Sequence, residues 1–532
     1  MSYYDYQLNL KNLFTNTSKH FPQREVVYKD KLRYNYKKFF ERVSGLAAGL
    51  EQIGVKQGDV VAVIDWDTNR YLESYFAIPM MGAILHTVNI RYPPEIIYYT
   101  MRHANDKYVI VRDEFLPLIE KYAAMFDFVK AWIVYNEDGK EVQTSLKPYY
   151  NYEDLIQGTT YEFPDLNERT TATIFYTSGT TGMPKGVTFT HRDLVLHTLV
   201  LSVVTRYPPL DLTEKDNFMI LVPMFHVHQW GMPYSCILGG NKYILPGRYE
   251  VGTILELIKR EKVTYSAMVP SILYMILNAP NIDEYKEYLK GWKVTIGGAA
   301  LPKGLALKAK SLGITTIAGY GLSETAPVLT IAFLNDYVRS MKDEELLDYM
   351  ISTGIPLPMV NLRVIDPNNK DVPWDGKTVG EIVVRAPWNT RGYYMDEEKT
   401  KSLWRDGWLH TGDLAVIDQY GYIRIVDRDK DAIKSGGEFI PSLVLENVIS
   451  EHPMVGEVAV VGMPHEKWGE RPVAFIVRKG NVDENSIIEH LNKYVEKGTI
   501  QKWWIPDKII FVDSLPKTST GKIDKKELRK NF

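Results

Sequence analysis

Cysteine is nearly absent: Cys236 stands alone among 532 residues. A disulfide framework is thereby excluded, and the composition fits a reducing, cytoplasmic setting. Long apolar runs are missing as well. No stretch reaches the roughly 18 residues that a bilayer span requires, so no stable membrane insertion is expected. The start, MSYYDYQLNL, has neither a basic region nor an apolar core and does not read as a signal peptide. An excess of one charge is also lacking. The 63 Lys and Arg nearly balance 66 Asp and Glu, and a net charge of −3 gives nucleic acid no reason to bind. What remains is ordinary for a soluble globular protein: 45% hydrophobic and 24% charged residues, in a length that suggests two to four compact units.

Against that background one stretch is unusual. Tyr176 to Gly186 reads YTSGTTGMPKG, with three glycines, four Ser/Thr hydroxyls (Thr177, Ser178, Thr180, Thr181) and Lys185. Ile174–Tyr176 before it reads as the end of a buried strand. Thr190 and Asp193 after it read as a capping box that opens a helix. A polar loop between strand and helix, with glycines such as Gly179 that let backbone N–H groups approach an anion, has the makings of a phosphate cradle. Its lysine does not follow the G-x-x-x-x-G frame, so it is not a common P-loop.

Upstream, Tyr36–Ile53, Val60–Ile64, Tyr71–Gly82 and Tyr108–Val111 alternate helical and strand patterns. That predicts α/β layering with a mostly parallel sheet. Leu85–Tyr99 carries no chemistry and is assigned a structural role. Downstream, LVPMFHVHQWG (Leu221–Gly231) reads as an apolar strand ending in an aromatic, histidine-rich turn. Its histidines lack the cysteine or carboxylate that a metal site would need. TIGGAAL (Thr295–Leu301) puts paired glycines at a strand end, where backbone can approach a flat ligand. GYGLSET (Gly319–Thr325) supplies a ring, a hydroxyl and a carboxylate, and Glu324 could hold magnesium. Ile351–Tyr394 is strand-rich. WLHTGDLA (Trp408–Ala415) places Asp413 at a turn, with two acceptor oxygens. In VDRDKDAIK, from Val426, six of nine residues are charged, as in a linker. A small α+β unit follows and ends in the basic PKTSTGK.

Taken together and in this order, these segments resemble the adenylate-forming superfamily of acyl-CoA synthetases, firefly luciferase and nonribosomal adenylation domains. LHTVN, PMFHVHQWG and KSGGEF most resemble medium- and long-chain fatty acyl-CoA synthetases. The resemblance implies an N-terminal domain over residues 1–429, which includes a β-rich subdomain, and a mobile C-terminal domain over 430–532. It assigns Thr177, Ser178, Gly179, Thr180, Thr181 and Lys185 to the ATP phosphates, and Gly298, Ala299, Ala300, Gly319, Tyr320 and Gly321 to the adenine side. Thr325 joins the nucleotide site, Asp413 and Arg428 take the ribose, and Glu324 takes Mg2+. His226, Trp230, Gly231, Gly298 and Gly321 would line the acyl pocket, with Trp230 as wall or gate, and the bare Gly321 would leave the pocket floor open. Lys430 would be the hinge, Lys434, Ser435, Gly436, Gly437 and Glu438 the thioester loop, and Lys522, with Glu324, Thr181 and His226, the catalytic set.

The implied reaction joins a small carboxylic acid to coenzyme A through an acyl adenylate, with MgATP consumed and pyrophosphate and AMP released. A homodimer is left open. The alternatives are a ligase for a short hydroxy acid such as 4-hydroxybutyrate, whose hydroxyl His228 or Gln229 could meet, an enzyme that loads a carrier protein, a luciferase-like monooxygenase, and a non-catalytic adenylate sensor. The chain's end soon after Lys522 weighs against a fused carrier. Retention of Glu324, Asp413 and Lys522 weighs against the sensor.

Overall fold

The computed structural model describes residues 4–158, 160–177, 183–428, 431–436, 438–518 and 521–530. The expected α/β layering is present. One sheet has seven strands in the order Tyr149–Asn151, Ala131–Tyr135, Asp106–Arg112, Val60–Ile64, Ile84–Thr87, Thr171–Thr177 and Lys185–Thr190. All neighbours pair in parallel except the last two. Val60–Ile64 is apolar at every position because both faces of this inner strand are covered. The chain leaves it for Ile84–Thr87 on one side and then Asp106–Arg112 on the other. The carboxyl end of Val60–Ile64 is therefore a switch point, the place where open α/β sheets bind ligands.

The second sheet has nine strands. Its centre is parallel, running through Thr315–Gly321, Lys293–Ile296, Tyr265–Met268, Asn217–Phe218, Lys242–Leu245 and Glu25–Tyr28. Antiparallel strands close both edges. The largest hydrophobic core draws on both sheets and on the helices Tyr36–Gln52, Asn69–Met80, His191–Val204 and Met232–Gly239 between them. Asn69–Met80 is buried at all twelve positions, which is why its sequence shows no polar stripe.

Residues 361–428 form the expected β-rich part, an antiparallel sheet of Asn361–Ile365, Gly380–Arg385, Trp404–Arg405, Trp408–Ile417 and Ile423–Arg428. From Ile433 onward the chain builds its own five-stranded sheet with the helices Ser442–Ser450 and Glu484–Glu496, around cores of its own. Among the described residues no helix is long and apolar enough to cross a membrane.

Candidate active site

The expected phosphate loop is built differently from its sequence reading. Thr171–Thr177 is followed by a second, antiparallel strand, Lys185–Thr190, with Thr177 opposite Lys185. The loop is thus a hairpin connection, and the helix begins only at His191. The capping box of Thr190 and Asp193 is present. Ser178, Gly179, Thr180 and Thr181 lie outside the described residues. At the loop's far end the Lys185 ammonium sits 4.4 Å from the centre of the Tyr393 ring. The Tyr393 hydroxyl donates to Glu324 Oε1 at 2.6 Å. Burial and the adjacent Glu324 carboxylate raise the pKa of Tyr393, so it stays a donor. Backbone bonds from Tyr394 N to the Gly186 carbonyl and from Thr390 N to the Glu324 carbonyl, each 2.8 Å, stitch the three segments together. The sequence had assigned Tyr393 no role beyond its place in the strand-rich Ile351–Tyr394.

Strand pairing assembles the next cluster. Asp413 and Arg428 face each other in register. Arg428 Nε lies 3.1 Å from one Asp413 oxygen, and the Tyr320 hydroxyl donates to the other at 2.7 Å. The carboxylate is buried, and each oxygen keeps a lone pair beyond these partners. Tyr320 comes from the nine-stranded sheet, so this bond ties the β-rich subdomain to it. Ala299 and Ala300 are exposed just past the end of Lys293–Ile296.

Two expectations in this region need correction. Thr325, expected to face the nucleotide, is fully buried. Its hydroxyl accepts from Leu322 N at 3.0 Å and approaches the Pro327 carbonyl at 2.5 Å, which closes the turn after Gly321. Gly321 does not leave an open pocket floor. A Cβ built there would fall within contact of the Pro327 carbonyl oxygen and 3.1 Å from Val328 Cα. Backbone, not empty space, occupies the direction a side chain would take.

The third cluster gathers around Lys522. Ser271 Oγ donates to the Gly521 carbonyl at 2.9 Å, and the Lys522 stem lies beside Gly298, where an added Cβ would come 3.2 Å from Lys522 Cε. Gly298 has φ +77°, and the Trp230 ring covers it and Gly297. His226 is half-buried, and its imidazole is pushed down to about 3, first by burial and then by the charges of Lys522 and Arg91. It is therefore neutral at physiological pH and offers a hydrogen bond rather than a charge.

The segment that carries His226 and Trp230 bridges in parallel to Met268 at Leu221 and then enters the expected turn, but the turn is left-handed. Val227, His228, Gln229, Trp230 and Gly231 all have positive φ, from 36° to 77°. Four side-chain-bearing residues in a left-handed turn cost on the order of 1 kcal/mol or more each. Buried polar bonds hold the turn in place. Gln229 Nε2 donates to Asp67 Oδ2 at 3.0 Å, Gln229 Oε1 accepts from the Tyr243 hydroxyl at 2.5 Å, and His228 Nε2 lies 2.7 Å from Thr173 Oγ1. Asp67 also accepts from the Tyr249 hydroxyl and Met224 N. Asp67 had carried no expected role; the signal for it is DWDTN (Asp65–Asn69) directly after the apolar strand Val60–Ile64.

Of the residues expected to form the thioester loop, Lys434 and Ser435 lie in the strand Ile433–Ser435 of the C-terminal sheet. Ser435 is buried, Lys434 N donates to Glu470 at 2.8 Å, and Gly436, with φ +62°, donates to the Trp468 carbonyl at 2.8 Å. Glu438 opens the strand Glu438–Ile440. Lys430 and Gly437 lie outside the described residues.

Comparison with known proteins agrees with this arrangement. The model of AMP-binding enzymes matches residues 14–394, and that of their C-terminal domain matches 444–522. A long-chain-fatty-acid–CoA ligase of Thermus thermophilus is 40% identical over 99% of this chain and 96% of its own. A medium-chain-fatty-acid–CoA ligase of Ectopseudomonas oleovorans is 35% identical over the same shares. The crystal structure of ATP-bound MatB from Rhodopseudomonas palustris superimposes with a TM-score of 0.81, at 26% identity over 99% of each chain.

Proposed function

The chain belongs to the AMP-binding enzyme family, and from that premise we infer that it is an AMP-forming acyl-CoA synthetase acting on a medium- or long-chain fatty acid. The observation that carries the reading is the seat of Lys522. A lysine from the C-terminal unit lies against Gly298 and beside His226 and Trp230, all three from the large N-terminal region. A cation there can neutralise an α-phosphate while a carboxylate attacks it. The oxyanion of a carboxylate is a poor leaving group, and transfer to AMP makes it a good one. Charge builds on phosphoryl oxygens, so catalysis is positioning plus electrostatics.

The roles follow from the three clusters. Lys185 and the hairpin loop would hold the β- and γ-phosphates. Asp413 and Arg428 would hold the ribose, and Glu324 would hold Mg2+. A lone carboxylate fits that ion, because magnesium takes one or two carboxylates together with substrate phosphates. Coenzyme A thiol would then attack the adenylate, after rotation about Lys430 exchanges Lys522 for the Gly436 loop. The hydroxy-acid alternative loses one of its two polar contacts, since the Gln229 carboxamide is already engaged at both ends. A cytoplasmic location fits the single cysteine.

The test is pyrophosphate release over a panel of acids from acetate to palmitate, including hydroxy and aryl acids, with and without coenzyme A. The reading requires acid-dependent release and a thioester product, with octanoate or longer acids favoured over acetate. Release with no acid in the panel, or a preference for acetate, would sink it. The hinge has its own test. Lys430→Pro fixes φ near −65° and should slow thioester formation far more than adenylation. An unchanged ratio of the two rates places the pivot elsewhere.

A further inference from the structure

We propose that Gln229 is a positioning residue for the acyl substrate: its carboxamide, spanning Asp67 and Tyr243, fixes the left-handed turn that presents His226 and Trp230. The proposal rests on reading the Trp230 side of the site as the acyl side. Three observations carry it. First, the turn is strained along its whole length, with positive φ from Val227 to Gly231, and a strained turn relaxes unless something over-determines it. Second, Gln229 is fully buried and uses both ends of its side chain. The amide donates to Asp67 at 3.0 Å and to the Ile220 carbonyl at 3.4 Å, and the carbonyl accepts from Tyr243 at 2.5 Å. A carboxamide donates to a carboxylate at one end and accepts from a phenol at the other.

Third, the partners are themselves anchored in different sheets. Asp67 follows the central strand of the seven-stranded sheet, and its own carbonyl accepts from Gly247 N at 3.0 Å. Tyr243 lies in Lys242–Leu245 of the nine-stranded sheet, and Tyr249 follows it. The clamp therefore bolts the turn across the junction of the two sheets. With residue 229 pinned and the helix Met232–Gly239 beginning just after Gly231, the Trp230 ring can swing off Gly297 and Gly298 only by side-chain rotation, over a backbone that does not move.

The experiment compares Gln229→Met, which keeps length and loses all three bonds, and Tyr243→Phe, which loses one hydroxyl, with the wild-type enzyme. Steady-state KM for acid and for ATP is read from pyrophosphate release, and amide hydrogen exchange is read over residues 224–232. The clamp requires KM for the acid to rise about tenfold in Gln229→Met while KM for ATP stays within about twofold, because a uniform loss of folded enzyme would move neither constant. The relative rates of acids of different length should change, and exchange over 224–232 should quicken.

An unchanged acid KM and unchanged exchange in Gln229→Met overturns the proposal, as does a parallel rise in both KM values. Should Gln229→Met not fold, Tyr243→Phe decides on the same two readouts. A wild-type enzyme that responds to no acid would defeat the acyl-CoA synthetase reading instead, and hydrogen exchange would still decide whether the clamp exists.

Discussion

The side of the site proposed to take phosphate and the side proposed to take the acyl chain are built by opposite means. On the phosphate side, groups from contiguous motifs meet near the surface: Lys185 on Tyr393, Tyr393 on Glu324. On the proposed acyl side, His226 and Trp230 ride on a strained turn held by Asp67, Thr173, Gln229, Tyr243 and Tyr249, nearly all of them buried and drawn from separate segments between residues 67 and 249. The difference fits what each side is proposed to bind. Phosphate charge can be met by mobile cations and loop N–H groups. An apolar chain needs a fixed wall, and a wall in the core has to satisfy every polar group it buries.

The comparison can be broken most sharply at Lys522, where the two sides meet. Lys522→Ala should cut adenylation by about 100-fold or more, the scale of one lost transition-state charge contact, and spare thioester formation from supplied acyl adenylate. Equal loss in both half-reactions would mean that the lysine does not serve one domain arrangement alone. Next in size is Gly321→Ala. The new methyl must displace the Pro327 backbone, so unfolding free energy should drop by about 1–3 kcal/mol, as read by denaturant titration. Full stability in that variant would restore the open floor at Gly321.

Tyr393→Phe tests the phosphate side alone. Removing one hydrogen bond to a charged partner is worth about 1.5–3 kcal/mol, so KM for ATP should rise by about tenfold or more while KM for the acid holds. A shift in acid KM instead would show that the two sides are coupled through Glu324.

The smallest effect belongs to the acyl side. Burial pushes the Asp67 carboxyl up to about 7, against the nearby charge of Arg91 and with that of Asp65, while Tyr249, Met224 N and Gln229 donate to it. A folded pKa above the unfolded one means that the stabilising proton is fully in place below about pH 4 and is lost as pH rises through about 7. Between pH 5 and 8 the wild type should therefore lose about 1 kcal/mol or more relative to Asp67→Asn, whose side chain does not titrate. Parallel pH curves for the two proteins would show that the three donors keep Asp67 ionised in the folded state.

Much of this site was legible without coordinates, for a reason visible in its residues. Glycine-rich loops, the run GYGLSET, and the basic tail around Lys522 each hold their chemistry within a few consecutive positions. Asp413 and Arg428 were legible one at a time, and only antiparallel register set them face to face. Val60–Ile64 read as a buried parallel strand because burial on both faces leaves no polar position. Leu221–Gly231 was legible as an apolar stretch ending in a turn, but the left-handed course of that turn was not, because no local rule selects positive φ for Val, His, Gln and Trp. Lys185–Thr190 was missed as a strand because it follows its partner directly, and its pairing is decided across the hairpin.

By itself, then, the sequence determined the family, the order of the layers, and the chemical identity of the groups proposed to meet the nucleotide. Each of those depends on short-range pattern: period, cap, or motif spacing. Tertiary structure alone decided that backbone fills the space beside Gly321, that Thr325 closes a turn, that Tyr393 joins Lys185 to Glu324, and that Gln229 spans Asp67 and Tyr243. Those facts depend on which distant groups share one desolvated volume, where an unpaired polar atom is costly and a single carbonyl can exclude a side chain.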